Sequence, residues 1–266
     1  MTGPPPDVVS RLRAAGCVFA EEEATLLAAA APTAQALAAM VDQRAAGTPL
    51  EQVLGWAEFC GLRIILDPGV FVPRRRTEFL VGQAVALGRQ VTRSRTVVVD
   101  LCCGSGALGV AVAAALPGAE LHATDIDPAA VACARRNVEP VGGRVYAGDL
   151  DAPLPAELRG HVDLMLANVP YVPTGEVGLL PAEARLHEPR TALDGGPDGL
   201  DLLRRVVAAA PRWLAPGGHL LLETSERQAA VAAAIVGAAE LAARTATSDE
   251  LEATVVVGTR PAHRAG

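Results

Sequence analysis

From residue 96 onward, short apolar runs alternate with helix-like stretches, and this alternation confines the chain to one class of fold. Residues 96–101, 120–124, 144–147, 162–167, 219–223 and 254–258 read as strands. Residues 107–116, 128–137 and 200–214 read as helices, and an Ala-rich helix starts near residue 226. Pro128 suits a first helical turn, where its missing N–H has no helical partner anyway. The strands are apolar along nearly their whole length rather than at every second residue. Such a strand has two buried faces, so the expectation is an α/β fold with a parallel sheet covered by helices on both sides.

The first third reads differently. Between residues 7 and 46, Leu12, Leu26, Leu27, Leu37, Met40 and Val41 recur at three- and four-residue steps, and Gly16, Pro32 and Gly47 divide the stretch into two or three helices. Glu21, Glu22 and Glu23 fit the start of one helix, where the dipole favours negative charge. From 53 to 66, Val53, Trp56, Phe59, Leu62, Ile64 and Leu66, interrupted by Gly55 and Gly61, suggest a hairpin of two short strands. A helix is expected from 77 to about 87, with Thr77 as its cap. The expected organisation is a helical domain over 1–52, a β-hairpin and linker over 53–80, and the α/β domain over 81–266. With 266 residues, half of them apolar, the chain can bury a core in both domains.

Charge and cysteine content exclude several function classes. A formal net charge of -7 repels a phosphate backbone, so extended nucleic-acid binding is not expected. Arg74, Arg75 and Arg76 are the one run of three basic residues; for Arg75 and Arg76, contact with an acidic partner and a solvated linker are both open. The five cysteines, and His122, His161, His187, His219 and His263, show no metal-ligand spacing. No apolar run reaches the roughly 18 residues of a membrane span. The opening Thr2-Gly3-Pro4-Pro5-Pro6-Asp7 lacks the basic and apolar regions of a signal peptide. A reduced, cytoplasmic setting without membrane contact is the expectation.

Chemistry first surfaces at Asp100-Leu101-Cys102-Cys103-Gly104-Ser105-Gly106, a glycine loop between a strand and a helix. Gly104 and Gly106 let backbone approach a ligand without an intervening Cβ. With Gly109 they also spell the dinucleotide pattern G-x-G-x-x-G, which is weak by itself. Asp100 separates the two readings. A carboxylate at the strand end opposes a pyrophosphate and favours a cationic amino group, such as that in the methionine part of S-adenosylmethionine. Asp125 ends the second strand, where it can accept from both ribose hydroxyls, and Asp127-Pro128 after it starts a helix. Asp149 follows the third strand, in reach of an adenine amino group. Any one of these acids reads as a loop charge or helix cap. Three at successive strand ends, where ligands of such sheets bind, do not. The expected cofactor set is Asp100, Cys102, Gly104, Gly106, Asp125, Ile126, Asp149, Leu150 and Asn168, with Cys102 and Cys103 as small apolar loop fillers.

After the fourth strand comes Asn168-Val169-Pro170-Tyr171. Its bland reading is a strand-ending turn in which Pro170 holds Val169 extended. Its chemical reading is a site for a planar nitrogen, whose lone pair is a poor nucleophile. The Asn168 side-chain oxygen and the Val169 carbonyl would each accept one N–H, aim the nitrogen and stabilise charge as it develops, with Tyr171 packed on the acceptor. Asn168, Val169, Pro170 and Tyr171 are therefore the expected catalytic residues. Glu223 also ends a strand, where it either lines this pocket or is a plain end charge.

Four blocks, in order over nearly the whole chain, resemble the release-factor glutamine N5-methyltransferase family. They are 44–50 with 55–59, 72–74 with Thr77-Glu78, 100–106, and 168–171 followed by Glu188-Pro189-Arg190 through Gly199. The resemblance implies a Rossmann-like, class I S-adenosylmethionine-dependent fold with a mostly parallel seven-stranded sheet. It also implies a small helical N-terminal domain that helps hold a protein substrate, and methylation of the glutamine in a Gly-Gly-Gln motif of peptide-chain release factors. Three departures bear on the substrate more than on the cofactor. Val169 stands where the family usually has proline, Arg76 where it has a carboxylate, and Cys102-Cys103 where it has Gly-Thr. The alternatives are a nucleic-acid or small-molecule amino-methyltransferase, a nicotinamide oxidoreductase using Gly104, Gly106 and Gly109, and a non-catalytic paralogue.

Overall fold

The structure, a computed structural model, describes residues 5–262; Thr2, Gly3, Pro4 and His263 lie outside the described residues. Two short strands, β1 (Trp56–Phe59) and β2 (Leu62–Ile65), pair as an antiparallel hairpin. The others are β3 (Val97–Leu101), β4 (Glu120–Asp125), β5 (Arg144–Ala147), β6 (Val162–Ala167), β7 (Leu214–Thr224), β8 (Ala242–Ser248) and β9 (Ala253–Thr259). They form one seven-stranded sheet in the order β5-β4-β3-β6-β7-β9-β8, with β9 antiparallel to both of its neighbours. The chain steps outward one way through β4 and β5 and the other way from β6. That reversal between β3 and β6 opens a crevice at their carboxyl ends, the place where open α/β sheets bind ligands.

The apolar runs have the predicted physical cause. Every residue of β6 is buried. Along it, Leu164 and Leu166 join one hydrophobic layer while Met165 and Ala167 join the other. The first layer is closed by α5 (Glu78–Gly88), α6 (Ala107–Ala115) and α7 (Pro128–Val138), the second by α9 (Asp201–Trp213) and α10 (Ala229–Ala238). In α9, Leu203, Val206, Val207 and Ala210 supply the buried stripe at three- and four-residue spacing.

Two local expectations are corrected. β8 was not expected, because Ala-Ala-Arg-Thr-Ala-Thr-Ser is an exposed edge strand and carries no apolar run. Val53 belongs to a short helix, α4 (Leu50–Leu54), so the hairpin begins at Trp56. Glu21, Glu22 and Glu23 do lie in the first turn of a helix, as expected, and Glu23 is in addition buried and forms a two-pronged pair with Arg44 (2.6 and 3.1 Å).

The N-terminal helices α1 (Pro6–Ala14), α2 (Ala20–Ala30) and α3 (Ala34–Ala45) pack around Leu12, Ala24, Leu27 and Val41. Buried Gln52 donates to the carbonyl of Val70 (3.1 Å), and Arg44 also reaches Glu183 (3.5 Å) on α8 (Ala182–His187). The hairpin is stitched to the glycine loop by Asn137, which accepts the Ile65 N–H (2.9 Å) and donates to the carbonyls of Ile65 and Ser105. Among the described residues no helix is long and apolar enough to cross a membrane, and no group of His, Cys, Asp or Glu can hold a metal ion.

Candidate active site

A cavity of about 860 Å³ occupies the crevice. Asp100, Cys102, Gly104, Asp125, Ile126, Asp149, Leu150, Asn168, Val169, Pro170 and Tyr171 all line it. Gly106 does not. It adopts φ +79°, and a Cβ there would lie 2.7 Å from Val138 Cγ2. Its work is to turn the loop into α6 and to let α7 pack close, which corrects the expectation that it approaches a ligand. Gly104 (φ +56°) has open space where its Cβ would be, so this glycine is the one that keeps the cavity floor clear. Gly109 is also structural: a Cβ would meet Leu121 at 2.7 Å and Asp100 Oδ2 at 3.0 Å.

The three strand-end acids differ in state. Asp100 is 1% exposed, and its Oδ2 accepts the Gly109 N–H (2.8 Å). Burial pushes its pKa up to about 7 against that bond, and the charge of Asp125 adds to the rise. Half-buried Asp125 accepts the Gly104 N–H at Oδ2 (2.8 Å) and the Asp127 N–H at Oδ1 (3.0 Å). Each of its oxygens keeps a lone pair for a hydroxyl donor. Asp127 caps α7 by accepting the Ala129 N–H. Asp149 is exposed and already takes a guanidinium hydrogen bond from Arg205 (2.6 Å). Burial pushes the Cys102 thiol up to about 12, so it remains a neutral wall group rather than a nucleophile. A buried carboxyl that a cation would ionise, a carboxylate open to hydroxyls, a bare glycine floor and apolar Ile126 and Leu150 fit an adenosyl amino acid. They suit a pyrophosphate poorly.

At the other end of the cavity, the Asn168 amide donates to Thr77 Oγ (3.2 Å). Thr77 is buried and makes no capping bond to α5, so its hydroxyl serves the site and not the helix. Asn168 Oδ1 and the Val169 carbonyl have no hydrogen-bond partner among the described residues. The Tyr171 hydroxyl donates to Glu223 Oε1 (3.2 Å), and Arg76 Nε stands 3.4 Å from the same oxygen. The Arg76 guanidinium lies 5.9 Å from the Tyr171 ring centre. Glu223 is 2% exposed. Burial raises its pKa, while the charge of Arg76 and the hydrogen bond from Tyr171 oppose the rise.

Several of these supports had no readable role in the sequence. Glu188 is buried and accepts from Arg74 (2.6 Å) and the Val72 N–H (3.2 Å), so two distant sequence blocks meet in one contact. Val172 and Leu193 pair through backbone. A Cβ at Gly195 would lie 2.5 Å from the Pro170 carbonyl, and one at Gly199 2.3 Å from that of Tyr171. The glycine-rich block is therefore the close-packed backing of the Asn168–Tyr171 turn. Gln228 holds the Tyr171 carbonyl (2.9 Å) from a position with no sequence signal at all.

Comparison with known proteins agrees with this geometry. The family model described as the methyltransferase small domain matches residues 61–198. A release factor glutamine methyltransferase of Mycolicibacterium smegmatis is 43% identical over 203 residues, 75% of this chain and 70% of the relative. A 4-amino-L-phenylalanine/4-methylamino-L-phenylalanine methyltransferase of Streptomyces pristinaespiralis is 40% identical over 193 residues, 71% of this chain and 65% of the relative. The chain spans 65% and 63% of the length of two further release factor glutamine methyltransferases, just under two thirds. Among solved structures, a ribosomal-protein methylase of Lactobacillus delbrueckii subsp. bulgaricus superposes with a TM-score of 0.53 at 18% identity, covering 74% of this chain and 85% of that one. That likeness speaks for the fold alone.

Proposed function

Because this chain belongs to the release factor glutamine methyltransferase family, we propose that it transfers a methyl group to the side-chain nitrogen of a protein glutamine. The acceptor is the Gly-Gly-Gln glutamine of a peptide-chain release factor, met in the cytoplasm. One observation carries this reading: Asn168 Oδ1 and the Val169 carbonyl are two free acceptors at one strand tip, on residues that line the cavity. When bound, S-adenosylmethionine supplies an electrophilic methyl on a sulfonium. Asp100 would pair with its amino group, Asp125 would take the ribose hydroxyls, and Ile126, Leu150 and Cys102 would flank the base beside Asp149.

The chain's own residues address the weak nucleophilicity of an amide. Asn168 Oδ1 takes one N–H of the glutamine and the Val169 carbonyl the other, which fixes the nitrogen's direction. Both oxygens stabilise the positive charge that grows on nitrogen as its bond to carbon forms and the carbon–sulfur bond breaks. The nitrogen then releases a proton to water. Thr77 fixes which end of the Asn168 amide faces the acceptor, because it occupies the nitrogen end. Tyr171, held by Glu223, walls the slot. The N-terminal helices α1, α2 and α3 hold the protein substrate.

The test is incubation with S-adenosylmethionine and a release factor, followed by mass spectrometry of its peptides. The expected result is one methyl on the Gly-Gly-Gln glutamine. Transfer to free 4-amino-L-phenylalanine with none to the release factor would overturn the acceptor assignment.

A further inference from the structure

Behind the wall made by Arg76 and Tyr171 lies a second cleft of about 570 Å³, which the methyl-transfer chemistry does not use. It opens where β7 ends and β8 turns into β9. Its inner end is lined by Glu223, Thr224 and Thr254, and its rim carries Glu226, Asp249 and Glu252. Glu223 Oε1 takes Tyr171 and Arg76, whereas the buried Oε2 has no hydrogen-bond partner. A buried carboxylate oxygen left without a donor costs free energy until one arrives. The three rim acids are exposed and make no ion pair among the described residues. Arg76 is the one cation in the lining, and Glu223 already balances it.

We propose that this cleft is a subsite for a positively charged side chain of the acceptor protein, an arginine or lysine close in sequence to the methylated residue. The proposal rests on a protein acceptor being presented at Asn168. Neighbouring strands lie about 4.8 Å apart, and the cleft begins one strand beyond β6 and ends three beyond it. It therefore lies about 5–15 Å along the sheet edge from the acceptor slot. Extended chain covers about 3.4 Å per residue, so the cation belongs within about four residues of the glutamine. A guanidinium in the cleft sits against the Glu223 carboxylate at its inner end while the rim acids draw it in.

The experiment uses the full chain and two fluorescent peptides, each with a Gly-Gly-Gln core. One carries arginine four residues to either side, and the other carries neutral citrulline at the same positions. Fluorescence anisotropy is expected to show the arginine peptide binding about fivefold to tenfold tighter, with the preference shrinking as salt rises. In the double variant Glu226→Gln with Asp249→Asn, both sites exposed, the preference falls to less than about twofold. Equal affinity for the two peptides in the unaltered protein overturns the proposal, as does a preference unchanged in the double variant. Mass spectrometry of the same mixtures after addition of S-adenosylmethionine separates the two readings. Arginine preference with no methyl on either peptide sinks the glutamine assignment and leaves the cleft standing; methylation without preference does the reverse.

Discussion

Adding a single methyl group at Gly106 tests whether this glycine serves packing or ligand. At φ +79° a residue with a Cβ costs about 1–2 kcal/mol relative to glycine. The new Cβ would also lie 2.7 Å from Val138 Cγ2 and 3.5 Å from Ala134 Cβ, and overpacking of that kind costs about 1–3 kcal/mol. Gly106→Ala should therefore lose about 2–5 kcal/mol. For a chain of this size that is a fall in Tm of about 4–20 °C. Gly104→Ala carries only the backbone cost, because no atom lies within 4 Å of its Cβ position. Its Tm should stay several degrees above that of Gly106→Ala. Cofactor affinity should rank the other way: calorimetry with S-adenosylmethionine is expected to show at least about a tenfold loss for Gly104→Ala. Gly106→Ala, measured well below its Tm, should stay within about threefold of the unaltered protein. Val138→Ala removes the clashing atom, so it should cost less in the Gly106→Ala background than alone, a coupling that a double-mutant cycle measures directly. Equal Tm values for the two glycine variants, or additive behaviour of Val138→Ala, would refute the packing assignment.

Other outcomes follow from the same geometry. Asn168→Ala should lower the rate of methyl transfer about 10²- to 10³-fold, the usual cost of losing a group that meets developing charge, with cofactor affinity nearly intact by calorimetry. Thr77→Val should lower kcat about tenfold, because the Asn168 amide loses its hold; an unchanged kcat would show that Asn168 needs no such support. Asp100, held near 7 by burial, keeps its proton in the folded protein over a range where the unfolded chain has lost it. Its contribution to stability therefore falls as pH rises from about 4 to about 7 and is level above that. A cationic ligand reverses the preference, so binding S-adenosylmethionine near pH 6.5 should release a proton, seen as a buffer-dependent calorimetric enthalpy. Arg44→Ala leaves Glu23 buried and unpaired and should cost about 3–5 kcal/mol in urea unfolding. Adding Glu23→Gln should recover part of that loss.

The sequence by itself determined the architecture of the larger part of the chain. Strands buried on both faces must be apolar throughout, so β3, β4, β6 and β7 announce themselves, and a parallel sheet with helices between its strands follows. It also placed the ends of those strands, and with them Asp100, Asp125, Asp149 and the Asn168–Tyr171 turn, because a polar residue closing an apolar run has few places to be. β8 escaped because an exposed edge strand needs no apolar run. Tertiary structure alone decided which groups are free and which are spent. Two glycines two residues apart differ in role only because α7 packs against one of them. Thr77 looks like a helix cap and is instead turned to Asn168, and Arg76 reads as a surface charge until β7 brings Glu223 beneath it. Local pattern records what a residue can do. The partner that decides what it does is often 50 to 150 positions away, and only the packed sheet brings the two within reach.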